Sequence, residues 1–405
     1  MSPARTVDRP GRDHARVRPR SSGTRRVAAV GTLALTLLVT TTLVGCASEP
    51  SESARGDGVP AEQVSCRPDS VPEAITSKDV ADAGTDGVTL KLVTHDSFAV
   101  SDGIFDDFTA RTGIKVKVVQ SGDAGQLVSQ AVLTAGNPVG DVLFGVDNTF
   151  LCRATRRGVF TPYVPAALSK VADDVKLADA DLATPIDTGD VCVNYSRSAF
   201  PAPADAPKSL DDLLESENKD RFVTENPETS SPGMAFLLAT IATYGEGPSG
   251  WERYWRRLRD NGVEVTSGWS EAYEKSFGYG SGDRTLVTSY ASSPVADVAF
   301  ADPPRDEPVI GVVPEGCFRQ VEFAGILRGT RHPEAAAKLV DFLLSPEFQS
   351  DMPLNMFVTP VNPSAKIPAV YEAHTAKVKP VTMTPAEIEA GRDRWTQRWT
   401  EIVLR

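Results

Sequence analysis

The sequence is poor in cysteine and histidine, which are the usual ligands of structural zinc. Its 405 residues include five cysteines and four histidines. No two cysteines have the CxxC spacing that is typical of a structural zinc site. The chain also contains no GxSxG, no P-loop, no GxGxxG followed by an acidic residue and no HExxH. We therefore expect a protein that is not an enzyme and that holds neither a metal ion nor a cofactor.

Basic residues are scarce in most of the chain. The whole sequence has 42 basic and 54 acidic residues, but eight of the basic and two of the acidic ones lie within residues 1–26. Without them, 34 basic and 52 acidic residues remain, which gives a formal net charge of −18. Because nucleic-acid binding needs a basic face, we expect no nucleic-acid partner. This acidity is compatible with a cationic ligand.

The N-terminal segment has the features of an export signal. Arginines precede an almost wholly apolar run at residues 27–44, and Leu43-Val-Gly-Cys46 matches a bacterial lipobox. We predict a lipoprotein signal peptide at residues 1–45 and lipidation of Cys46, which would hold the secreted protein at the outer face of the cell membrane or in the periplasmic space. The alternative is a single membrane anchor, since about 18 apolar residues can span a bilayer. Arg25-Arg26 leaves the export route, Sec or twin-arginine, open.

The remaining cysteines are predicted to form disulfides. Cys66, Cys152, Cys192 and Cys317 are dispersed along the chain, and outside the cytosol an even number of such residues favours disulfide bonds. Cys192 and Cys317 both lie in short strand-like runs. We therefore favour the pairs 192–317 and 66–152, with four buried free thiols as the alternative.

The pattern along the chain indicates an α/β protein. Residues 46–87 are rich in Ser, Pro, Glu, Asp and Gly, and we predict a flexible tether there. The next roughly 315 residues suit two lobes. Predicted strands at residues 88–94, 114–119 and 141–145 alternate with helices, which implies a parallel sheet covered on both faces. We also predict a helix opened by Ser209.

Two kinds of tryptophan can be told apart by their spacing. Trp251 and Trp255 are four residues apart, as are Trp395 and Trp399, and this spacing is typical of a packed helical face. Trp269 instead follows a glycine in a polar turn. An aromatic face in a cleft attracts an organic cation or stacks on a heterocycle.

Small polar residues precede an apolar helix later in the chain. Ser230 and Ser231 come directly before the run that begins at Met234. A helix N-terminus with hydroxyls beside it favours an anion. The alternative is that one of the serines only caps the helix.

Several segments together resemble a known family. Over about residues 88–405 the chain resembles the thiamine-binding solute receptors of bacterial ABC importers. The segments that carry the resemblance are Thr94-His-Asp-Ser-Phe98, Asp141-Val-Leu-Phe-Gly-Val-Asp-Asn148, Pro227-Glu-Thr-Ser-Ser-Pro-Gly233, Gly268-Trp-Ser-Glu-Ala-Tyr273 and Ser289-Tyr-Ala-Ser-Ser-Pro294, followed by the capping box Thr384-Pro-Ala-Glu387.

The resemblance implies a two-lobed periplasmic-binding-protein fold of type II, with two α/β lobes joined by crossover hinge strands. We place lobe 1 at residues 88–190 and about 315–380, lobe 2 at 191–314, and a C-terminal helix at 381–405. The expected ligand is thiamine or a thiamine phosphate. The expected partners are the permease and ATPase subunits of an importer, and the receptor itself is expected to be a monomer.

The resemblance also implies roles for individual residues. Trp269 and Tyr290 would line the rings of the vitamin, with Asp147 near them. The serine pair Ser230 and Ser231 and the Asp123-Ala124 turn would meet its hydroxyethyl or phosphate end. His95, Ala296 and Phe357 stand where the family usually has Tyr, another aromatic residue and Trp, so the aromatic enclosure is expected to be thinner here.

Two other functions fit parts of the pattern. Ferric-ion receptors resemble this fold, but they typically hold iron with adjacent tyrosines, and here Tyr290 is followed by Ala291. Thiaminases also resemble these receptors and would need a reactive cysteine in the cleft. Cys152 is the one conceivable candidate, and a disulfide would disable it.

Overall fold

The computed structural model describes residues 61–177, 180–202 and 204–405. The predicted signal peptide at residues 1–45, the lipidation of Cys46 and the tether as far as residue 60 therefore lie outside the described residues. No helix in the described part of the chain is long and apolar enough to cross a membrane.

Strands and helices alternate through most of the molecule. The strands are β1 Thr89–Thr94, β2 Lys115–Gln120, β3 Val142–Asp147, β4 Phe160–Thr161, β5 Thr184–Ser196, β6 Phe222–Glu225, β7 Glu264–Thr266, β8 Leu286–Tyr290, β9 Ile310–Leu327 and β10 Thr359–Pro360. The helices are α1 Ser77–Asp82, α2 Asp106–Thr112, α3 Ala124–Leu133, α4 Leu151–Arg156, α5 Ser231–Tyr244, α6 Trp251–Asp260, α7 Ser293–Ala299, α8 Pro333–Leu343, α9 Pro346–Asn355, α10 Ala369–His374 and α11 Pro385–Val403.

Local sequence signals set several helix ends. Thr384 and Glu387 form the predicted capping box of α11, with Pro385 in the first turn. At its C-terminal end, α2 stops at Gly113, whose φ of 72° is readily adopted by glycine. These ends could be predicted because they depend on a few consecutive residues.

The sheet is mixed, which corrects the expectation of a parallel sheet. Its strand order is β2-β1-β3-β9-β5-β8-β6-β7. The pairs β1–β2, β1–β3, β6–β7 and β6–β8 are parallel, whereas β9 and β5 run antiparallel to each other and to their outer neighbours β3 and β8. The predicted strands at residues 88–94, 114–119 and 141–145 do pair in parallel, as β1, β2 and β3. Local patterns do not reveal that β5 and β9, in the middle of the sheet, are antiparallel.

These two central strands join the halves of the molecule. Strand β5 has 13 residues and β9 has 18, and they pair from Thr184 opposite Ala324 to Ser196 opposite Ile310. The pairing shifts register near Pro185 and again between Val191 and Val193, and such irregularities bend and twist strands. One half of the sheet, β2-β1-β3, lies on one side of the pair, and β8-β6-β7 lies on the other. This is the expected pair of α/β lobes with crossover strands between them, and the residue bounds given above for the lobes stay a prediction.

The paired tryptophans lie in a helical core. Trp255 of α6 and Trp399 of α11 are fully buried, with their rings 5.5 Å apart and edge to face. The Trp255 Nε1–H donates to the Thr240 hydroxyl of α5 at 2.9 Å. Trp251 and Trp395 are also buried. The predicted packed helical faces are confirmed.

Both predicted disulfides are present. Cys192 on β5 is bonded to Cys317 on β9, and Cys66 is bonded to Cys152 on α4. The second bond fixes a segment that was expected to belong to the flexible tether. Residues 77–82 of that segment form α1, and Ile75 pairs with Tyr163. The tether prediction is therefore wrong for residues 61–87, because contacts far away in sequence order a polar segment that has little core of its own.

One predicted helix is also wrong. The segment that follows Ser209 forms only a short 3-10 turn at Asp211–Leu214. The Asp212 carboxylate accepts hydrogen bonds from the backbone N–H groups of Lys208 and Ser209. Aspartate and serine that bond nearby backbone in this way favour turns over a continued helix.

Candidate ligand-binding site

The predicted site loops meet around one cavity. Most of them follow the ends of parallel strands: His95 comes after β1, Asp123 after β2 and the serine pair after β6. Ligand sites of open α/β sheets lie at such strand ends. The cavity has a volume of about 250 Å³. Seven of the predicted site residues line it, namely His95, Asp123, Ala124, Ser231, Trp269, Tyr290 and Phe357.

An aromatic wall forms one side of the cavity. The Trp269 ring stacks on Tyr273 with their centroids 4.8 Å apart and their planes at 13°. The indole N–H donates to the Ser289 hydroxyl at 2.9 Å, which fixes the ring orientation. The indole is half-buried and lines the cavity. The structure thus explains why a large aromatic residue occupies a polar turn.

Asp123 ties the two lobes together beside this wall. Its Oδ1 accepts from the backbone N–H of Ala124 at 2.6 Å and of Ser231 at 3.4 Å, and its Oδ2 accepts from the backbone N–H of Trp269 at 3.0 Å. Ala124 begins α3, and Ser231 begins α5. The carboxylate therefore lies between two helix N-termini, where negative charge is stabilised.

A backbone contact beside Asp123 brings α3 and the loop before α5 very close. The Gly125 N–H donates to the Thr229 carbonyl at 3.0 Å. A Cβ atom at Gly125 would lie 2.5 Å from the Glu228 carbonyl oxygen, so a side chain does not fit at this position. The lobes are in direct contact here, and the structure shows the cleft in a closed arrangement.

The two adjacent serines have different positions. Ser230 is completely buried, and its hydroxyl accepts from the Gly233 N–H at 3.5 Å as the N-cap of α5. Ser231 lines the cavity, and Ser230 does not. For Ser230 the geometry matches the capping role that the sequence left open. For Ser231 a role toward a ligand stays a prediction.

Asp147 lies behind the cavity and does not line it. Its Oδ1 accepts from the backbone N–H of Thr149 at 2.9 Å, from the Thr149 hydroxyl at 2.6 Å and from the Phe150 N–H at 3.2 Å. The residue is fully buried. Burial raises the pKa of this carboxyl, while the hydroxyls beside it act in the opposite direction. Asp147 is thus absent from the cavity lining, and its predicted position near the rings of a ligand stays a prediction.

A carboxyl pair that the sequence did not reveal lies in the inner part of the site. Asp187 of β5 and Glu322 of β9 are opposite each other in the crossover pair, and both are buried. Glu322 lines the cavity, and its Oε1 lies 3.3 Å from Nε2 of His95. Burial raises the pKa of Glu322 to about 8 and raises the pKa of Asp187 well above its usual value, with the neighbouring Glu322 adding to that shift. Burial lowers the pKa of His95.

These shifts have a clear consequence for charge. A pKa of about 8 keeps Glu322 mostly protonated at pH 7. The raised pKa of Asp187 and the lowered pKa of His95 likewise favour the neutral forms of these groups, so burial reduces the charge at this end of the cavity. No local sequence pattern points to Asp187 or Glu322, because each is one polar residue within a long strand. Only the register of β5 against β9 brings them together.

Tyr290 and Phe357 complete the lining that the sequence predicted. The Tyr290 hydroxyl donates to the Gln320 side-chain oxygen at 3.2 Å. The Phe357 carbonyl accepts from the Ser292 hydroxyl at 2.5 Å. Further lining residues that the sequence did not single out for this site include Glu274, Tyr279, Gln320, Glu322 and Met356. Within residues 61–177, 180–202 and 204–405, no group of three or more His, Cys, Asp or Glu side chains is arranged to hold a metal ion.

Comparison with known proteins agrees with this architecture. Residues 137–380 match the family described as bacterial extracellular solute-binding protein. The thiamine-binding periplasmic protein of Escherichia coli strain K12 is 31% identical over 323 residues, which cover 78% of this chain and 94% of that protein. The corresponding protein of Salmonella typhimurium strain LT2 is 32% identical over 324 residues, with the same coverage of both chains.

Solved structures show the same fold. A periplasmic thiamin binding protein is 29% identical and superposes with a TM-score of 0.66, covering 78% of this chain and 96% of that one. Iron-bound HitA from Pseudomonas aeruginosa is 22% identical with a TM-score of 0.61, covering 78% and 99% of the two chains, and shares the fold. The two-lobed periplasmic-binding-protein fold of type II is thereby confirmed. From the family match and the identity to these relatives, the chain belongs to the bacterial extracellular solute-binding proteins.

Proposed function

We propose that this protein is an extracytoplasmic receptor that captures thiamine in the cavity between its lobes and delivers it to an ABC importer. The relatives named above as thiamine-binding support this ligand. The observation that carries the proposal is the juxtaposition, in one cavity, of the Trp269–Tyr273 wall with the carboxyl groups of Asp123 and Glu322. That combination suits a ligand that is aromatic and positively charged.

Thiamine has both properties. It joins a permanently charged thiazolium to an aminopyrimidine ring, so it presents a cation and two flat faces. A cation over an aromatic ring gains roughly 0.5–2 kcal/mol, with the larger value where water is excluded. Because Trp269 is hydrogen-bonded and stacked on Tyr273, its ring is fixed in place before a ligand arrives. Such preorganisation favours binding.

Phosphorylated thiamine is a second ligand of the proposed site. Ala124 and Ser231 lie at the N-termini of α3 and α5, where backbone donors and the helix dipole favour an anion. In the closed arrangement the Asp123 carboxylate accepts from both N–H groups. A phosphate at this end would therefore compete with Asp123 for the same donors, and the neutral hydroxyethyl end of thiamine would not.

We infer a receptor and not an enzyme. Cys152, which a thiaminase-like reaction would require as nucleophile, is bonded to Cys66 and buried. A thiolate is needed for attack, and a disulfide sulfur does not supply one. Closure of the lobes over the ligand is the natural signal to an importer, because ligand contacts with both lobes stabilise the closed state. We propose further that a lipid on Cys46 retains this receptor at the membrane surface.

Loss of the aromatic wall tests the ligand. We expect Trp269→Ala to weaken thiamine binding by about 1–3 kcal/mol, because apolar burial and cation–π attraction are both lost. Trp269→Phe keeps an aromatic face and is expected to lose less. Calorimetric titration of the wild type and both variants gives the comparison. No thiamine binding by a folded wild-type protein would refute the proposed function, and an unchanged affinity in Trp269→Ala would remove the ring from the site.

Substitutions of the adjacent residues Ser231 and Ser230 test the proposed phosphate site, with Ser230 as the control because it does not line the cavity. We expect Ser231→Ala to weaken binding of thiamine monophosphate more than binding of thiamine, since hydrogen bonds to charged groups are worth about 1.5–3 kcal/mol against about 1 for neutral ones. Ser230→Ala should instead lower the free energy of unfolding by about 1 kcal/mol through loss of the N-cap and leave the ratio of the two affinities unchanged. Denaturant unfolding and titration with both ligands test this, and equal losses for both ligands in Ser231→Ala would contradict it.

Binding of a cation near Glu322 should be linked to protons. The pKa of about 8 means that the group is mostly protonated at pH 7 in the empty protein, whereas a bound cation favours the carboxylate. We therefore expect thiamine affinity to rise between pH 6 and pH 8 and protons to be released on binding at pH 7. Calorimetry in buffers of different ionisation enthalpy measures the release.

Two variants complete this test. Glu322→Gln is expected to show a flatter pH profile and less proton release, whereas Glu217→Gln, which alters an exposed carboxylate outside the cavity, should behave as the wild type. Without ligand, the raised pKa of Glu322 makes the free energy of unfolding of the wild type depend on pH. The folded state keeps a proton that the unfolded chain loses near pH 4.5. The contribution of Glu322 to the free energy of unfolding therefore falls as the pH rises from 4.5 toward 8, whereas the affinity for thiamine rises. An identical pH profile in Glu322→Gln would exclude this group as the proton donor.

The anchor can be tested separately from the binding site. Cys46→Ser removes the proposed lipidated sulfur and is expected to shift the protein from the membrane fraction to the soluble extracytoplasmic fraction, with thiamine affinity unchanged. Cell fractionation with immunoblotting measures the shift. Retention of the variant in the membrane through an uncleaved N-terminal segment would contradict the lipoprotein assignment.

A further inference from the structure

Two strained aromatic residues stand out in the backbone. Among the described residues, three non-glycine residues have positive φ, and these are Asp220, Tyr279 and Phe357. Aspartate tolerates this conformation, but bulky aromatic residues rarely adopt it. Both aromatic residues line the cavity. Strain of this kind costs on the order of 1–3 kcal/mol and often marks a functional position.

The loop around Tyr279 is built to hold this conformation. Tyr279 has φ 53° and ψ 36°, and the glycines on either side, Gly278 and Gly280, also have positive φ. The Gly280 N–H donates to the Phe277 carbonyl at 3.0 Å, and the Gly280 carbonyl accepts from the Ser196 hydroxyl of β5 at 2.6 Å. The loop is thus fixed to a crossover strand, and the conformation of Tyr279 follows from these restraints.

The ring of Tyr279 extends the aromatic wall toward the mouth of the cavity. It meets Tyr273 edge to face with centroids 5.4 Å apart, and Tyr273 in turn stacks on Trp269. Tyr279 and Ala296 both line the cavity and also a shallower depression that adjoins it. Tyr279 is 53% exposed, so a large part of the residue is not covered by the protein.

A carboxylate accompanies the ring. Glu274 lines the same cavity, and its carboxylate next to the phenol, together with partial burial, raises the pKa of Tyr279. An aromatic face with a carboxylate beside it attracts an organic cation. The sequence suggested that the enclosure is thin on this side because position 296 is alanine. The structure places a tyrosine from a different loop at the same part of the cavity.

We propose that Tyr279 is a specificity-determining residue, whose ring closes the mouth of the cavity beside Ala296 and contacts the aromatic cation bound inside. This inference rests on the proposed function, with thiamine as the ligand. The strained Gly278-Tyr279-Gly280 loop holds the ring in this position. Glycine at position 279 would adopt the same backbone conformation without strain, so we infer that the tyrosine side chain serves ligand contact and not folding stability.

The test separates binding from folding. Tyr279→Ala and Tyr279→Gly are expected to weaken thiamine binding by about tenfold, while Tyr279→Phe stays within about twofold of the wild type because it keeps the ring. Tyr279→Gly should also have an unfolding free energy equal to or above that of the wild type, since glycine adopts positive φ without strain. As a control, Leu133→Ala removes an exposed apolar side chain outside the cavity and should change the affinity less than twofold.

The outcomes distinguish the two proposals. Unchanged thiamine affinity in Tyr279→Ala and Tyr279→Gly, with tight binding by the wild type, would overturn the role of Tyr279 and leave the receptor function intact. A loss of affinity that follows a loss of stability in both variants would show a structural role and would also overturn it. A wild type that binds no thiamine would refute the proposed function together with this inference.

Discussion

The antiparallel pair of crossover strands is the constraint on which the rest of the molecule depends. Strands β5 and β9 pair from end to end, and each half of the sheet is built on one side of them. The Cys192–Cys317 disulfide links the same two strands. Because both lobes share these strands, a bend in the pair moves one lobe relative to the other, and the register irregularities are where bending is easiest. The same register places Asp187 opposite Glu322, and Glu322 lines the candidate cavity.

Closure of the cleft depends on a few polar contacts across the lobes. Asp123 accepts backbone hydrogen bonds at the starts of α3 and α5 and from Trp269, and Gly125 bonds directly to the loop at Thr229. A carboxylate between two helix N-termini is well stabilised without any ligand. The Asp123 carboxylate therefore stabilises the closed arrangement of the lobes. Under the proposed function, a ligand would stabilise it further through contacts with the aromatic wall and with Glu322. Under the proposed function, competition between Asp123 and a ligand phosphate for these N–H groups would discriminate between thiamine and its phosphates.

Under the proposed function, the cavity has two features that attract an organic cation. The stacked and hydrogen-bonded rings of Trp269 and Tyr273 present a fixed aromatic face. The buried carboxyl group of Glu322 is mostly protonated at pH 7, and a cation bound beside it would favour its negatively charged form. Both depend on the exclusion of water by the closed lobes, since interactions between charges strengthen in a low dielectric. The strained loop at Tyr279 fits this scheme, because the fold tolerates an unfavourable backbone conformation at the point where a ring can cover the cavity mouth.

The sequence by itself determined the features that depend on neighbouring residues or on composition. These include the capping box at Thr384, the packed tryptophan faces, the cysteine content that favours disulfides, the α/β class and most of the loops around the site. Tertiary structure decided the mixed direction of the sheet, the burial of Asp147 behind the cavity, the ordering of residues 61–87, and the presence of Tyr279 in the same cavity lining as Ala296. The physical reason is that strand register and packing bring together residues that are apart in sequence, such as Asp187 and Glu322, and no local pattern of hydrophobicity or capping encodes such pairs.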